Sequence, residues 1–275
     1  MCNFKKMTNL QHKPNDTYAM KKKVILYLFI LMSAFCTKAA TMKIVGDTNK
    51  TDASGKKTGL WKEKIDMYTF YGNYNNDKKD GVWIGYHPNG IVSSIDEYKN
   101  GKRNGYSIGI DVAGFYFRKS SYVNDTLDGQ SINYAQNNGA KVQSEVEYTM
   151  GKVNGIKKIY YPDGNIQEEG HFVNNVRNGK SKWFTSDGMV SIEYNYKNGN
   201  LEGPQKTFYK NGNINSEVNT VNNLEEGEYS EYYENGKIKL IGKYVHGNKE
   251  GAWKEYNEDG KVIKTENYKN NVLKK

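Results

Sequence analysis

The stretch that decides the fold is Gly251-Ala-Trp-Lys-Glu-Tyr-Asn-Glu-Asp-Gly-Lys-Val262. We number positions from its first glycine, position 0: an aromatic residue follows at position 5, Asn/Asp-Gly at 8 and 9, Ile/Val at 11, and a second aromatic at 17. Copies begin every 24 residues, with one step of 26, at Gly81, Gly105, Gly129, Gly155, Gly179, Gly203, Gly227 and Gly251. A degenerate copy begins at Gly59. A fixed period of this length indicates a repeat array.

Each copy contains two hairpin signals. The first is the Asn/Asp-Gly pair, as in Asn89-Gly90, and the second lies near position 19, as in Asn100-Gly101, Asn198-Gly199, Asn174-Asn175 and His246-Gly247. Such pairs tolerate the positive φ that a type I′ turn requires at both central residues. Stretches rich in Tyr, Ile, Val and Thr separate the turns. The predicted fold is therefore all-β: an elongated, single-layer antiparallel meander of about 16 to 18 strands, without helices after the N-terminal leader.

The turns also predict the register of each hairpin. If Asn89 and Gly90 are the central turn residues, paired positions sum to 17, so the repeat glycine faces the second aromatic. The longer copy keeps this pairing if its insertion lengthens both strands equally. An aromatic ring across a strand glycine is stabilising. The predicted pairs are Gly81–Tyr98, Gly129–Tyr148, Gly155–Phe172, Gly179–Tyr196, Gly227–Tyr244 and Gly251–Tyr268.

The same register sorts side chains between two faces. Positions 2, 6, 11 and 17 are expected on one side, called the tryptophan face because it carries Trp83 and Trp253. Position 5 falls on the other side, and we call its residues the aromatic stripe. A bulge inside the first strand would instead bring the two sets together. The stripe consists of Tyr86, Tyr134, Tyr160, Phe184, Phe208, Tyr232 and Tyr256.

The phrases at 251–262 and at 196–203 (Tyr-Lys-Asn-Gly-Asn-Leu-Glu-Gly) resemble MORN-type repeats in their bacterial variant form. The resemblance covers residues 81–275 well and 59–80 weakly, and the copies beginning at Gly105 and Gly203 depart from it. The chain is thereby similar to the YwqK-family antitoxins, a group named for the partner of a secreted toxin. This resemblance implies a binding scaffold without catalytic residues.

The formal charge of +9 is concentrated at the N-terminus. Residues 1–40 hold seven lysines against Asp16, which leaves residues 41–275 with a net charge of +3. A basic face for nucleic acid is therefore not expected. Both cysteines, Cys2 and Cys36, also lie in this segment, so the array contains none.

The N-terminal segment has the order of an export signal. Lys21-Lys22-Lys23 precede the apolar run 24–32, and small residues follow. We expect 1–19 to be an upstream extension, 20–40 a signal peptide, 41–58 a linker and 59–275 the array. The protein would be periplasmic, at the cell surface or secreted. A lipid anchor at Cys36 is disfavoured by the bulky Phe35, and the alternative to a signal is a buried hydrophobic segment.

Candidate catalytic and metal-binding groups follow the phase of the repeat. Gly105-Tyr-Ser-Ile-Gly109 matches a nucleophile elbow, but Ser107 occupies the position of Trp83, so a solvated strand serine is expected. His87, His171 and His246 lie at three different positions and are not expected to form one site. The acidic run lacks the form of a calcium loop, which predicts a solvated rim. The run comprises Glu225, Glu226, Glu228, Glu231 and Glu234.

These features predict a non-catalytic, exported scaffold that binds a protein partner, with an antitoxin or immunity role against a toxin if the resemblance extends to function. No cofactor, metal or catalytic residue is assigned. The alternatives are an envelope module that binds glycan or lipid headgroups, and an enzyme. The aromatics either only build strands or also form a contact surface, since tyrosine favours interfaces. The predicted contact residues are Tyr134, Tyr160, Phe184, Phe208, Tyr232 and Tyr256.

Overall fold

The structure, a computed structural model, describes residues 47–135 and 141–275. The predicted leader, both cysteines and Asn138-Gly139 lie outside the described residues. The described residues form strands and turns, and none of them forms a helix that could cross a membrane. The strands are β1 (Lys50–Thr51), β2 (Lys57–Ile65), β3 (Tyr68–Asn75), β4 (Lys78–Tyr86), β5 (Val92–Lys99), β6 (Lys102–Ile110), β7 (Tyr116–Val123), β8 (Thr126–Tyr134), β9 (Val142–Thr149), β10 (Lys152–Tyr160), β11 (Ile166–Val173), β12 (Val176–Phe184), β13 (Val190–Lys197), β14 (Asn200–Leu201), β15 (Gly203–Phe208), β16 (Ile214–Val221), β17 (Leu224–Tyr232), β18 (Ile238–Val245), β19 (Asn248–Tyr256), β20 (Val262–Lys269) and β21 (Val272–Leu273).

These strands form a single open antiparallel sheet in meander order, which confirms the predicted fold class. β14 and β15 are two parts of one strand, because both pair with β13 and Glu202 separates them. β1 lies within the predicted linker and pairs with the start of β2. Apart from the three two-residue segments, 18 strands of six to nine residues remain, as the two-strand repeat predicts.

The predicted register of the hairpins is confirmed. Gly81 pairs with Tyr98, Gly129 with Tyr148, and the four later glycines with their predicted aromatics. In the longer copy, however, β8 and β9 have the same lengths as the corresponding strands of other copies. The expectation that the insertion lengthens both strands was wrong. The two extra residues fall between Ala135 and Lys141, and the Ala135 N–H donates to the Lys141 carbonyl at 2.8 Å, so the ladder on either side is undisturbed.

The first turn differs from the predicted type I′ turn. The Gly90 N–H donates to the His87 carbonyl (2.9 Å) and the His87 N–H donates to the Ile91 carbonyl (2.8 Å), which closes a three-residue loop. Gly90 has a φ of +83°, whereas Asn89 lacks a positive φ. The loop pairs Tyr86 with Val92, one residue short of the predicted register, and a one-residue bulge at Ser93 then restores it. The three-residue loop and the bulge therefore compensate for each other, and the rest of the hairpin has the predicted register.

The second turn has the predicted type I′ form. Both central residues have positive φ, for example 52° and 83° at Asn100-Gly101 and 50° and 71° at Asn174-Asn175. Each turn also bonds to the preceding repeat, as where the Gly101 N–H donates to the Lys79 carbonyl at 2.8 Å. The second turns thus connect neighbouring repeats as well as reversing the chain.

The repeat glycine forms a bulge where each hairpin meets the preceding one. Tyr71 pairs with Ile84 and Asn73 with Asp80, so β4 carries two more residues than β3 over this stretch. Every repeat glycine has a positive φ, from 71° at Gly251 to 120° at Gly105. The prediction that an aromatic ring lies over this glycine was wrong, because a Cβ added at Gly251 would meet no atom within 4 Å. Glycine is needed here for its backbone conformation.

A different glycine lies beneath each of the two buried tryptophans. A Cβ added at Gly72 would lie 2.2 Å from the Trp83 ring, and one at Gly242 would lie 2.2 Å from Trp253. These tryptophans are 2% and 3% exposed and are the largest core side chains. Other copies place smaller side chains at the same pair of positions, such as Ser181 near Gly170. The core is thus a row of complementary large and small residues.

The bulge at the first loop changes one face assignment. Residues directly opposite in an antiparallel ladder share a face. Position 11 pairs with position 5 in every 24-residue copy, as Val190 does with Phe184 and Ile214 with Phe208, and Val142 takes its place in the longer copy. Position 11 therefore lies with the aromatic stripe, and its expected place on the tryptophan face was wrong. The extra bulge residue shifts the alternation of the strand by one.

We expect Gly242→Ala to destabilise the protein by about 2 to 3 kcal/mol, because the new methyl group must displace the buried Trp253 ring. Gly251→Ala meets open space and is expected to cost about 1 kcal/mol, from the left-handed backbone alone. Urea denaturation of both variants checks the order. Equal losses would show that Trp253 does not depend on the glycine beneath it.

Candidate functional site

The aromatic stripe is one half of a row of cross-strand apolar pairs. Each stripe residue faces an Ile or Val of the same hairpin, and all seven stripe residues are half-buried. Ile238 and Val262, near the C-terminal end, are 43% and 50% exposed. The pairs are Tyr86–Val92, Tyr134–Val142, Tyr160–Ile166, Phe184–Val190, Phe208–Ile214, Tyr232–Ile238 and Tyr256–Val262.

One stripe tyrosine is hydrogen-bonded to a neighbouring glutamate. The Tyr232 hydroxyl donates to Glu217 at 2.8 Å, and Lys206 Nζ lies 3.0 Å from the same carboxylate. The hydrogen bond from Lys206, followed by that from Tyr232, lowers the pKa of Glu217. Burial is the main cause that raises the pKa of Tyr134, Tyr160 and Tyr232. These rings are therefore partly desolvated, and the hydroxyl of Tyr232 is hydrogen-bonded. Phe184 and Phe208 have no hydroxyl to satisfy.

Ion pairs run beside the middle of the stripe and form what we call the lysine–glutamate lattice. It joins position 3 of one strand to position 14 of its partner in three consecutive hairpins. The nitrogen–oxygen distances are 3.3 Å for Lys158–Glu169, 3.6 Å for Lys182–Glu193 and 3.0 Å for Lys206–Glu217. The lattice is electrically balanced, so the stripe is the apolar part of this surface.

On the tryptophan face, cations lie over the aromatic rings. Lys79 Nζ lies 3.8 Å from the Trp83 ring centroid, and Lys249 Nζ lies 4.2 Å from that of Trp253. The Arg177 guanidinium lies 5.0 Å from the ring of Phe172 and 5.6 Å from that of Tyr196. These are cation–π distances. The largest rings of this face are therefore occupied by the protein's own side chains.

The polar side chains at position 6 connect successive repeats. Tyr161, Tyr209 and Tyr233 each donate a hydroxyl to the backbone carbonyl of the next stripe residue, at 2.7 to 2.8 Å. His87 Nε2 lies 2.9 Å from the Ile110 carbonyl and takes the same role. Position 6 therefore stabilises the array.

The other histidines and the acidic run have structural contacts as well. The backbone N–H of His246, a residue of a type I′ turn, donates to Glu226 at 2.8 Å, and Glu231 pairs with Lys239 at 2.6 Å. His171 lies in β11, with its Cβ against Gly179. Within 47–135 and 141–275, no group of three or more His, Cys, Asp or Glu side chains is arranged to hold a metal ion.

Ser107 is a core residue. It is 3% exposed and donates its hydroxyl to Asp96 at 2.6 Å. The prediction that Ser107 is solvated was wrong. Ser107 occupies the buried position that Trp83 has in its own copy, and its hydroxyl needs a polar partner there. β7 follows β6 where a nucleophile elbow requires a helix, so this geometry is that of a strand residue.

Sequence reasoning missed the aliphatic half of the apolar row. The Ile/Val at position 11 was visible in the repeat phrase, but its face depends on a bulge that the phrase does not specify. The stripe residues do lie in one row on one face. Each is the last paired residue before the first loop of its hairpin, and each pairs with the Ile or Val that follows the loop. The structure thus brings together the predicted contact residues and adds a second apolar column beside them.

These observations define the class of the protein. It is a β-hairpin repeat protein in which each copy packs against its neighbours. The MORN repeat variant family matches six segments, 79–100, 153–174, 177–198, 201–222, 225–246 and 249–270. Six repeats of the chain are therefore MORN-variant repeats, and repeats of this kind are generally non-catalytic scaffold modules that bind proteins or lipids. No curated protein sequence matches the chain.

Proposed function

We propose that this chain is a non-catalytic scaffold that binds a protein partner along the aromatic stripe. One observation carries the proposal: each stripe residue lies directly opposite a branched aliphatic residue, and no lysine or arginine of the described residues lies over a stripe ring. Equivalent residues in successive copies are two strands apart, about 10 Å. Such a continuous, half-exposed apolar row is typical of a contact surface.

The contacts of the candidate catalytic groups support a binding role. Ser107 is buried against Asp96, His87 bonds to a backbone carbonyl, and Glu226 caps a turn. Each of these groups is committed to holding the sheet together. A scaffold without its own chemistry is consistent with these roles.

Export and an antitoxin-like role are further parts of the proposal. The lysine cluster and apolar run before residue 40 support export. The resemblance to YwqK-family antitoxins supports a toxin as the protein partner. Such a partner would be met outside the cytoplasm, where an immunity protein of this kind would block it by covering its surface.

We expect the double change Phe184→Ala with Phe208→Ala to weaken partner binding about 30-fold or more, because truncating a buried interface aromatic commonly costs about 2 kcal/mol. The partner is the protein captured by the wild-type chain from its native host, then purified and titrated by calorimetry. The matched control is Phe172→Ala with Tyr196→Ala, which removes two rings from the tryptophan face. Retained affinity in the stripe variant, with a native circular dichroism spectrum, would contradict the proposal.

The export proposal predicts the N-terminus of the mature protein. It should begin between Thr37 and Thr41 and be recovered outside the cytoplasm, because cleavage follows the small residues after the apolar run. N-terminal sequencing of the envelope and secreted fractions checks this. Recovery of an intact Met1 or Met20 from those fractions would argue against a cleaved signal.

A further inference from the structure

The lysine–glutamate lattice is replaced by isoleucines in the N-terminal part of the array. Position 3 is Ile84, Ile108 and Ile132 in the first three full copies, and position 14 of the first is Ile95. Ile84 pairs with Ile95, which in turn pairs with Ile108 across the next strand boundary. These four side chains lie beside the stripe on the same face, and we call them the isoleucine patch. All four are half-buried.

The surroundings of the patch on this face are also apolar. Val82 and Tyr106 lie on one side and stripe residues Tyr86 and Tyr134 on the other, with Tyr106 48% exposed. Over positions 1 to 16 of β4 to β8, the ionisable side chains of this face other than tyrosine are Glu97 and Lys119. Glu145 of β9 lies opposite the patch residue Ile132 and has Lys158 opposite it on its other side. Lys119 Nζ lies 4.8 Å from the Tyr106 ring. The patch and its borders are therefore balanced in charge.

The fold itself does not require isoleucine at these positions. In the copies that begin at Gly155, Gly179 and Gly203, the same pairs of positions hold lysine and glutamate on strands of the same geometry. The copies beginning at Gly105 and Gly129 are also those that the MORN-variant pattern leaves unmatched. No second layer of the described sheet covers the patch. Apolar side chains that the fold does not need, and that no layer formed by residues 47–135 and 141–275 covers, indicate an association surface.

The size and symmetry of the surface favour a second copy of this chain as the occupant. Five strands about 4.8 Å apart, each eight or nine residues long at about 3.3 Å per residue, give a face of roughly 700 Å². A standard interface buries about 800 Å² on each partner. An apolar, charge-balanced surface is self-complementary, as a two-fold interface requires, and Lys119 of one copy can approach Glu97 of the other.

We propose that two copies of this chain associate face to face through the isoleucine patch. The two sheets would pack about 10 Å apart, and each would supply the second layer that the other lacks. This inference goes beyond the proposed function and does not depend on it, since the stripe from Tyr160 to Tyr256 lies outside the patch. The dimer would present two such stretches of stripe to partners.

The test restores the lattice within the patch by Ile84→Lys with Ile95→Glu. This pair should fold normally, because three later hairpins of the array carry it, but it should raise the dimer dissociation constant at least about 100-fold by placing charges in an apolar interface. The matched control is Val221→Lys with Leu224→Glu, a cross-strand pair 40% and 46% exposed and away from the patch.

Analytical ultracentrifugation of the protein purified from its host, at about 10 µM, measures the outcome, since interfaces of this size reach micromolar or tighter affinity. The wild type and the control should sediment as dimers and the lattice variant as a monomer. A monomeric wild type, or an undiminished dimer in the variant, would overturn the proposal. If circular dichroism shows that the lattice variant is unfolded, Ile108→Thr replaces it, because threonine is compatible with a strand. The proposal then fails if Ile108→Thr does not weaken the dimer.

Discussion

The left-handed backbone at the first glycine of each repeat is the constraint on which the sheet depends. It lets two extra residues enter one strand at every junction between hairpins, as between the pairs Tyr71–Ile84 and Asn73–Asp80. An even number of extra residues preserves the alternation of faces, so the faces stay continuous from copy to copy. A side chain at this position would strain the junction in every repeat, which explains why glycine recurs there.

The two faces created by this geometry have different chemistry. On the tryptophan face, large rings lie over small residues and beneath cations, as Trp253 lies over Gly242 and under Lys249. On the other face, the stripe stays half-exposed, and its flank changes from isoleucines to balanced ion pairs along the array. The tryptophan face thus holds the single-layer sheet together, and the other face is the one through which we propose that the protein associates. In these proposals the N-terminal part of that face binds a second copy, and the later part binds a partner.

The period, the strand order and the hairpin register were predictable from sequence because they depend on counting and on Asn-Gly turns. The faces were only partly predictable. The three-residue loop at His87–Ile91 and the bulge at Ser93 cancel in the register, yet together they move position 11 to the other face. Likewise, nothing in the spacing distinguishes a buried Ser107 from a solvated one, since its burial depends on Asp96 in the neighbouring strand. Bulges and cross-strand partners are tertiary properties that a repeat pattern does not encode.

We propose that the partner covers the aromatic stripe and leaves the tryptophan face free. Hydroxyl-radical footprinting of the free and partner-bound protein tests it most directly, because the modification of each ring reports its own solvent contact. We expect Phe184 and Phe208 to lose reactivity toward hydroxyl radicals on binding, while Phe172 and Tyr196 keep theirs. Protection of Phe172 and Tyr196 with unchanged Phe184 and Phe208 would contradict it.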